Sequence, residues 1–133
     1  MLVDDEPDIL LTYKVFLAKQ GYNVEAFPDA KSALANIKSV GSLHYDLVIT
    51  DIRMKSLNGL QLYHKIRTID PGLKVIFVSA LDAVEELVSV LPGVTGRDII
   101  KKPVNEQEFV KTAKDALSRA HPAGSRLVST IRR

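Results

Sequence analysis

Five residues of this 133-residue chain are of types that could do chemistry together: Asp4, Asp5, Asp51, Ser79 and Lys102. Each follows an apolar run. Asp4-Asp5 follow Leu2-Val3, and Asp51 closes Leu47-Val48-Ile49-Thr50. Ser79 closes Val75-Ile76-Phe77-Val78, and Lys102 follows Ile99-Ile100-Lys101 and precedes Pro103. Short apolar runs of this kind read as strands buried on both faces of a parallel sheet. In an open α/β sheet, ligands bind beyond the carboxyl ends of the strands. One acid at one such end is weak evidence. Three acids, a hydroxyl and an ammonium at four ends would converge on one edge.

Three neighbouring carboxylates repel and raise one another's pKa, a cost that a hard cation among them removes. Mg²⁺ suits the set, because it takes oxygen ligands from one or two carboxylates together with water and phosphate. A backbone carbonyl just after Asp51, at Arg53, would supply a further oxygen. Asp51 is then a candidate nucleophile, and Ser79 and Lys102 a clamp on the oxygens of a transferred phosphoryl group. Phosphoryl transfer needs mainly positioning and charge stabilisation, and this set supplies both. Pro103 biases Lys102 out of the helical region, while Lys101 should point away as ordinary surface. Taken singly, each residue has a plainer reading: a helix cap with a solvated acid for Asp4-Asp5, and a strand-end serine for Ser79.

The elements that must position these residues alternate along the chain. Leu2-Val3 is a very short first strand. Pro7 suits the first turn of a helix, with Asp5 or Glu6 as its cap. That helix should run to about Gln20 and stop at Gly21, burying Leu10, Tyr13, Phe16 and Leu17. Tyr22 to Phe27 alternates and reads as strand two. Asp29 caps a second helix with Ala30, Ala33, Leu34 and Ile37 inward. Strand three ends near Thr50. Leu57-Asn58-Gly59 is a turn, and Leu60, Leu62, Tyr63 and Ile66 mark a third helix that stops at Asp70-Pro71-Gly72. Strand four runs from Lys74 to Ser79. Asp82 caps a fourth helix carrying Val84, Leu87, Val88 and Leu91. Strand five spans Asp98 to Lys101. Asn105 and Glu108 form a capping box for a last helix that buries Phe109, Val110, Ala113 and Leu117. Five βα units argue a parallel sheet covered on both faces.

Composition is that of one ordinary globular domain, with 46% hydrophobic and 26% charged residues. No apolar run approaches about 18 residues, so no transmembrane helix is expected, and the start is not that of a signal peptide. There is no cysteine, which excludes disulfides and thiolate chemistry and fits a cytoplasmic location. The net charge of +2 is uneven. Residues 121–133 carry Arg126, Arg132 and Arg133 and no acid, while residues 1–120 sum to −1. The tail is read as a basic linker or disordered segment that adds nothing to the fold. Three arginines are a weak nucleic-acid signal, and no direct nucleic-acid binding by the domain is expected. His44, His64 and His121 lack metal-site spacing.

At these residues the chain resembles the receiver domain of two-component response regulators. The matching pieces are Leu2-Val3-Asp4-Asp5-Glu6-Pro7, Asp46 to Met54, Asn58-Gly59-Leu60, Val75 to Ala80, and Lys102-Pro103. The resemblance covers about residues 1–120. It implies a flavodoxin-like (βα)5 doubly wound sandwich with a five-stranded parallel sheet of order 2-1-3-4-5. It implies that Asp51 accepts a phosphoryl group from a sensor histidine kinase or phosphotransfer protein. Asp5 would hold Mg²⁺ directly and Asp4 through water. Ser79 and Lys102 would bind the phosphoryl group and report it to the face made by helix four, strand five and helix five. The output would be a downstream protein target or an effector domain outside this chain. Such a module is a signalling protein and not an enzyme beyond its own phosphorylation and dephosphorylation.

The sequence departs from the family pattern in places. Lys55 stands where the family usually has proline, and Ile99 where it usually has a tyrosine or phenylalanine switch. Residues 91–97, with Pro92, Gly93 and Gly96, are an unusual entry to strand five. The family usually has two or three more residues before Leu2. A pseudo-receiver, the same fold used as a binding module, would have lost an acid, the nucleophile or the lysine, and all are present. A haloacid dehalogenase-type phosphatase needs a second acid two residues after its nucleophile, where this chain has Arg53. The glycine patterns of dinucleotide and P-loop sites are missing.

Overall fold

The computed structural model describes residues 1–54, 57–80 and 83–119. The expected Asp82 cap, the Lys55 position and the tail beyond Arg119 lie outside the described residues. The elements run β1 (Leu2–Val3), α1 (Pro7–Ala18), β2 (Ala26–Phe27), α2 (Ala30–Val40), β3 (Leu47–Asp51), α3 (Gly59–Ile69), β4 (Lys74–Ala80), α4 (Val84–Val90), β5 (Ile99–Lys102) and α5 (Glu106–Ser118). The five strands are all parallel, in the order β2-β1-β3-β4-β5. This is the doubly wound flavodoxin-like arrangement expected, and right-handed crossovers put helices on both faces of the sheet.

Alternate strand residues feed two cores. Val3, Val48, Val75, Phe77 and Ile99 pack on one face, under α2, α3 and α4, with Ala33, Ile37, Leu62, Ile66 and Leu87. Leu2, Ile49, Ile76, Val78 and Ile100 pack on the other, under α1 and α5, with Tyr13, Leu17, Phe109, Ala113 and Ala116. The Tyr13 and Phe109 rings stack at 4.7 Å and join α1 to α5. Such runs, buried on both faces, explain why β3 and β4 are apolar throughout rather than alternating.

Several boundaries differ from the sequence reading, each for a local reason. β2 is two residues and not six, because its only strand neighbour, β1, is itself two residues long. Tyr22 and Val24 still pack against the α1–α5 core. α1 ends at Ala18 rather than Gln20, ahead of Gly21 at φ 86°. Glu6 stands at its N-cap without a side-chain bond to the helix. Asp29 and Asn105 cap α2 and α5 as expected, accepting from the Ser32 and Glu108 N–H groups. Asn58, read only as part of a turn, caps α3 in a reciprocal box with Gln61. In α5 the third buried position is Ala116, with Val110 and Leu117 half-buried. Val88 lies on the exposed side of α4. Asp98 belongs to a 3-10 turn, Gly96–Asp98, rather than to β5.

Candidate functional site

Four strand ends meet as the pattern of residues requires. β1 delivers Asp4 and Asp5, β3 delivers Asp51, β4 delivers Ser79 and β5 delivers Lys102. Carboxylate oxygens of Asp4, Asp5 and Asp51 all lie within 4.8 Å of one another. The register explains the meeting. Val3 pairs with Thr50, Asp51 with Val78, and Ala80 with Lys102, so all four ends stop at nearly the same level.

Asp4 and Asp51 are buried, at 3% and 5% exposure, and Asp5 is half-buried. Lys102 Nζ stands 3.1 Å from Asp51 Oδ1. Lys101, next to it, is exposed and lies outside the site, as expected of a surface residue. Ser79 is buried, and its hydroxyl donates to the Ala80 carbonyl at 3.3 Å. Arg53 is exposed, two residues beyond Asp51 on the way to α3.

Asp4 carries the electrostatic strain of the cluster. Its carboxyl is pushed up to about 6, first by burial, with Asp51 and then Asp5 adding to the rise. The Glu6 N–H, donated to Asp4 Oδ1 at 2.9 Å, and the charge of Lys102 act in the opposite direction. The mutual carboxylate repulsion expected from sequence is thus real at Asp4, but burial is the larger cause. A buried acid that resists ionising beside two others is a group whose charge a hard cation would stabilise. The donor set is all oxygen, which fits Mg²⁺.

Two neighbours of Asp51 fall within stretches that match the receiver pattern, but the sequence reading gave neither a role. Thr50, fully buried, donates its hydroxyl to the Asp51 carbonyl at 2.9 Å. Gly59, the first residue of α3, lies so close to β3 that a Cβ there would sit 2.3 Å from the same oxygen. Besides that match, a glycine opening a helix, where it is a poor helix former, was the local hint.

A family profile described as the response regulator receiver domain matches residues 1–114. The chain belongs to the response regulator receiver family. Among its relatives, the probable transcriptional regulatory protein TcrX of Mycobacterium tuberculosis is 32% identical over 119 residues, spanning 90% of this chain and 49% of that protein. Transcriptional regulatory protein GlrR of Escherichia coli is 32% identical over 124 residues, covering 92% of this chain and 27% of that one. The receiver thus spans about half or less of the length of these relatives. The solved receiver domain of NtrX from Brucella abortus matches with a TM-score of 0.78 and 32% identity, covering 90% of this chain and 98% of that one. A receiver domain protein from Clostridium thermocellum also reaches a TM-score of 0.78, at 25% identity. Receivers are signalling modules of two-component systems. Among the described residues, no helix of this receiver is long and apolar enough to cross a membrane.

Proposed function

We propose that this receiver takes a phosphoryl group onto Asp51 from the phosphohistidine of a sensor kinase or phosphotransfer protein. The observation that carries the reading is Lys102 Nζ at 3.1 Å from an Asp51 carboxylate that already shares a 4.8 Å cluster with Asp4 and Asp5. Asp51 Oδ attacks phosphorus, the P–N bond breaks, and the imidazole leaves with the electron pair. Lys102 and the Ser79 hydroxyl take the oxygens of the transferred group. Asp5, Asp51 and the Arg53 carbonyl are the proposed Mg²⁺ ligands, with Asp4 acting through water. Mg²⁺ would supply neutralising charge to the phosphoryl oxygens. The same groups, with water at the exposed mouth, would return the acyl phosphate to carboxylate and inorganic phosphate.

The domain is proposed to comprise residues 1–120, with residues 121–133 a basic tail. The output passes through the face of α4, β5 and α5 to a protein target or to an effector domain outside this chain. The pseudo-receiver reading gains no support from a site with every ionisable member in place.

The titration of Asp4 gives a direct test. Asp4 must lose its proton to join a cation site, and its folded pKa is about 6. Mg²⁺ affinity, followed by amide shifts, should therefore hold steady above pH 7 and fall as pH drops through 6. Responses should centre on Asp4, Asp5, Asp51 and Arg53. In the metal-free protein the raised pKa works the other way. The ionisation penalty is absent below about pH 4, where the unfolded carboxyl is also protonated, and is complete above about pH 6. Asp4→Asn, which keeps an oxygen for the Glu6 N–H, should thus stabilise the metal-free protein at pH 7 while weakening Mg²⁺ binding. No amide response to Mg²⁺ at pH 7.5 would sink the metal assignment.

Signal transmission has its own expected signature. Ile99 is buried, at 4% exposure, among Phe77, Leu87 and Leu91. It is β-branched, stiff at χ1, and has neither ring nor hydroxyl. A two-state element must then lie in the backbone after Ser79 and in α4, which stands between those residues and the Pro92-Gly93 turn. A ligand shifts such an equilibrium only through its differential affinity for the two states. Ser79 and Lys102 contacts to phosphoryl oxygens would provide that difference. Beryllofluoride should move Ser79, Ala80 and α4 more than it moves the Ile99 side chain. A comparison of free and mimic-bound forms that shows α4 fixed and Ile99 changing rotamer would reject this route.

A further inference from the structure

We propose that Thr50 and Gly59 are positioning residues for the acceptor carboxylate, gripping from two sides the peptide that joins Asp51 to Ile52. The inference rests on Asp51 being the phosphoryl acceptor. On one side, the fully buried Thr50 hydroxyl donates to the Asp51 carbonyl at 2.9 Å. On the other, the Gly59 Cα packs directly on that peptide. A Cβ on Gly59 would meet Asp51 O at 2.3 Å, Ile52 Cα at 2.9 Å and Asp51 C at 3.1 Å. Gly59 is not among the glycines with positive φ, so its lack of a side chain is required by contact and not by backbone conformation.

The contact cannot be relieved cheaply. The three atoms nearest to such a Cβ are all backbone, so no rotamer change relieves those contacts. The approach is fastened by hydrogen bonds at both ends: Gly59 N donates to Ile52 O at 2.9 Å, and Ile52 N donates to Val78 O at 3.3 Å. The reciprocal Asn58–Gln61 cap, with both bonds at 2.9 Å, holds the first turn of α3 in place. A methyl group at residue 59 must therefore displace either α3 or the Asp51–Ile52 peptide. That peptide carries the Asp51 carboxylate on one side and leads to Arg53 on the other. A shift there changes the Asp51–Lys102 distance and re-aims the Arg53 carbonyl together.

The test compares pseudo-first-order labelling of the whole chain by acetyl phosphate at saturating Mg²⁺, with Mg²⁺ affinity and thermal unfolding measured alongside. A displacement of about 1 Å in a reacting group can cost about 10²-fold in rate, and a loss of that order is expected for Gly59→Ala. Thr50→Val, which keeps shape and loses the donor, should lose about tenfold, and Thr50→Ser should restore the rate because the hydroxyl returns. Gly96→Ala is the control, since a Cβ there meets nothing within 4 Å, and it should label like the wild type. A purely structural role would make rate follow unfolding temperature across the set, with no separate rescue by serine. If Gly59→Ala fails to fold, the Thr50→Val and Thr50→Ser pair decides. Folded Gly59→Ala labelled within about twofold of wild type, or Thr50→Val no slower than Thr50→Ser, overturns the inference. A wild type that neither binds Mg²⁺ nor takes label overturns the receiver reading itself, and this inference with it.

Discussion

Acetyl phosphate and Mg²⁺ are expected to label the wild-type chain at one residue, and Asp51→Asn is expected to take no label at all. The carboxamide presents no anionic oxygen to attack phosphorus, so the acyl phosphate cannot form. The other acids do not substitute. Asp4 is buried, resists ionisation until about pH 6, and spends one oxygen on the Glu6 N–H. Lys102→Ala should behave differently. It leaves the nucleophile in place but removes the cation 3.1 Å from it, leaving three carboxylates without that compensation. Removing one preorganised charge-stabilising donor typically costs about 10²–10³-fold in rate. Some labelling should therefore survive, without the movement of α4 expected in the wild type. Intact-mass measurement after acid quenching reads the label, and amide shifts read the movement. Equal labelling of wild type and Asp51→Asn would refute the acceptor assignment.

The second large effect lies at the opposite edge of the sheet. Asp98 is buried at 3% exposure and accepts from the Thr95 N–H at 3.0 Å. It also sits 3.0 Å from both Lys74 Nζ and Arg119 Nη1. It ties the start of β4, the approach to β5 and the end of α5 to one carboxylate. Burial would raise its pKa, but the Thr95 N–H, Lys74 and Arg119 outweigh burial and hold the carboxyl below its ordinary range. Removing one member of a buried ion pair costs about 3–5 kcal/mol, because the remaining charges lose their compensation. Lys74 and Arg119 keep some access to water, so Asp98→Ala should fall near about 3 kcal/mol. For a domain of this size that lowers the unfolding midpoint by roughly 10 °C. The pH dependence follows from the depressed pKa. The contribution is complete above the unfolded carboxyl's value, near about 4, and is lost as pH falls through the lower folded value. Wild type and Asp98→Ala should thus differ most near neutrality and converge in acid. A gap that stays constant from pH 7 to pH 3 would show that the charge is not what stabilises.

The contrast between these two clusters shows what could be read in the chain beforehand. Asp51, Ser79 and Lys102 were legible because each interrupts an apolar run, and a parallel sheet brings all such interruptions to one edge. Asp98, Lys74 and Arg119 lie at strand and helix ends facing the other edge, where charged residues are ordinary, and nothing local says they meet. Helix caps were legible at Asp29 and Asn105, where an acceptor precedes an apolar pattern. Asn58 carried the same signal, with Gln61 three residues on, but the neighbouring glycine made it look like a turn. The β2 boundary was not legible, because alternation from Tyr22 to Phe27 reports burial against helices as well as strand pairing. The near-contact of Gly59 with β3 is set wholly by tertiary packing.

The order in which the strands lie has a kinetic corollary. β1, at two residues, is a central strand, flanked by β2 and β3, and its two acids come from the start of the chain while Lys102 comes from near the end of the described part. No single hairpin or βα unit holds even two of the four strand ends. Each pairing closes a long loop, and such non-local parallel pairings form slowly. A chain caught part-way, with β3 and β4 docked but β1 or β5 still loose, would hold Asp51 without either its neighbouring acids or its lysine. On the proposed role of Asp51, such an intermediate would react with a phosphodonor more slowly than the folded chain. During synthesis the strand that carries Lys102 emerges after the other four, so on that reading a nascent chain labels slowly until β5 has joined the sheet. On that reading, full reactivity of Asp51 and completion of the sheet are reached together.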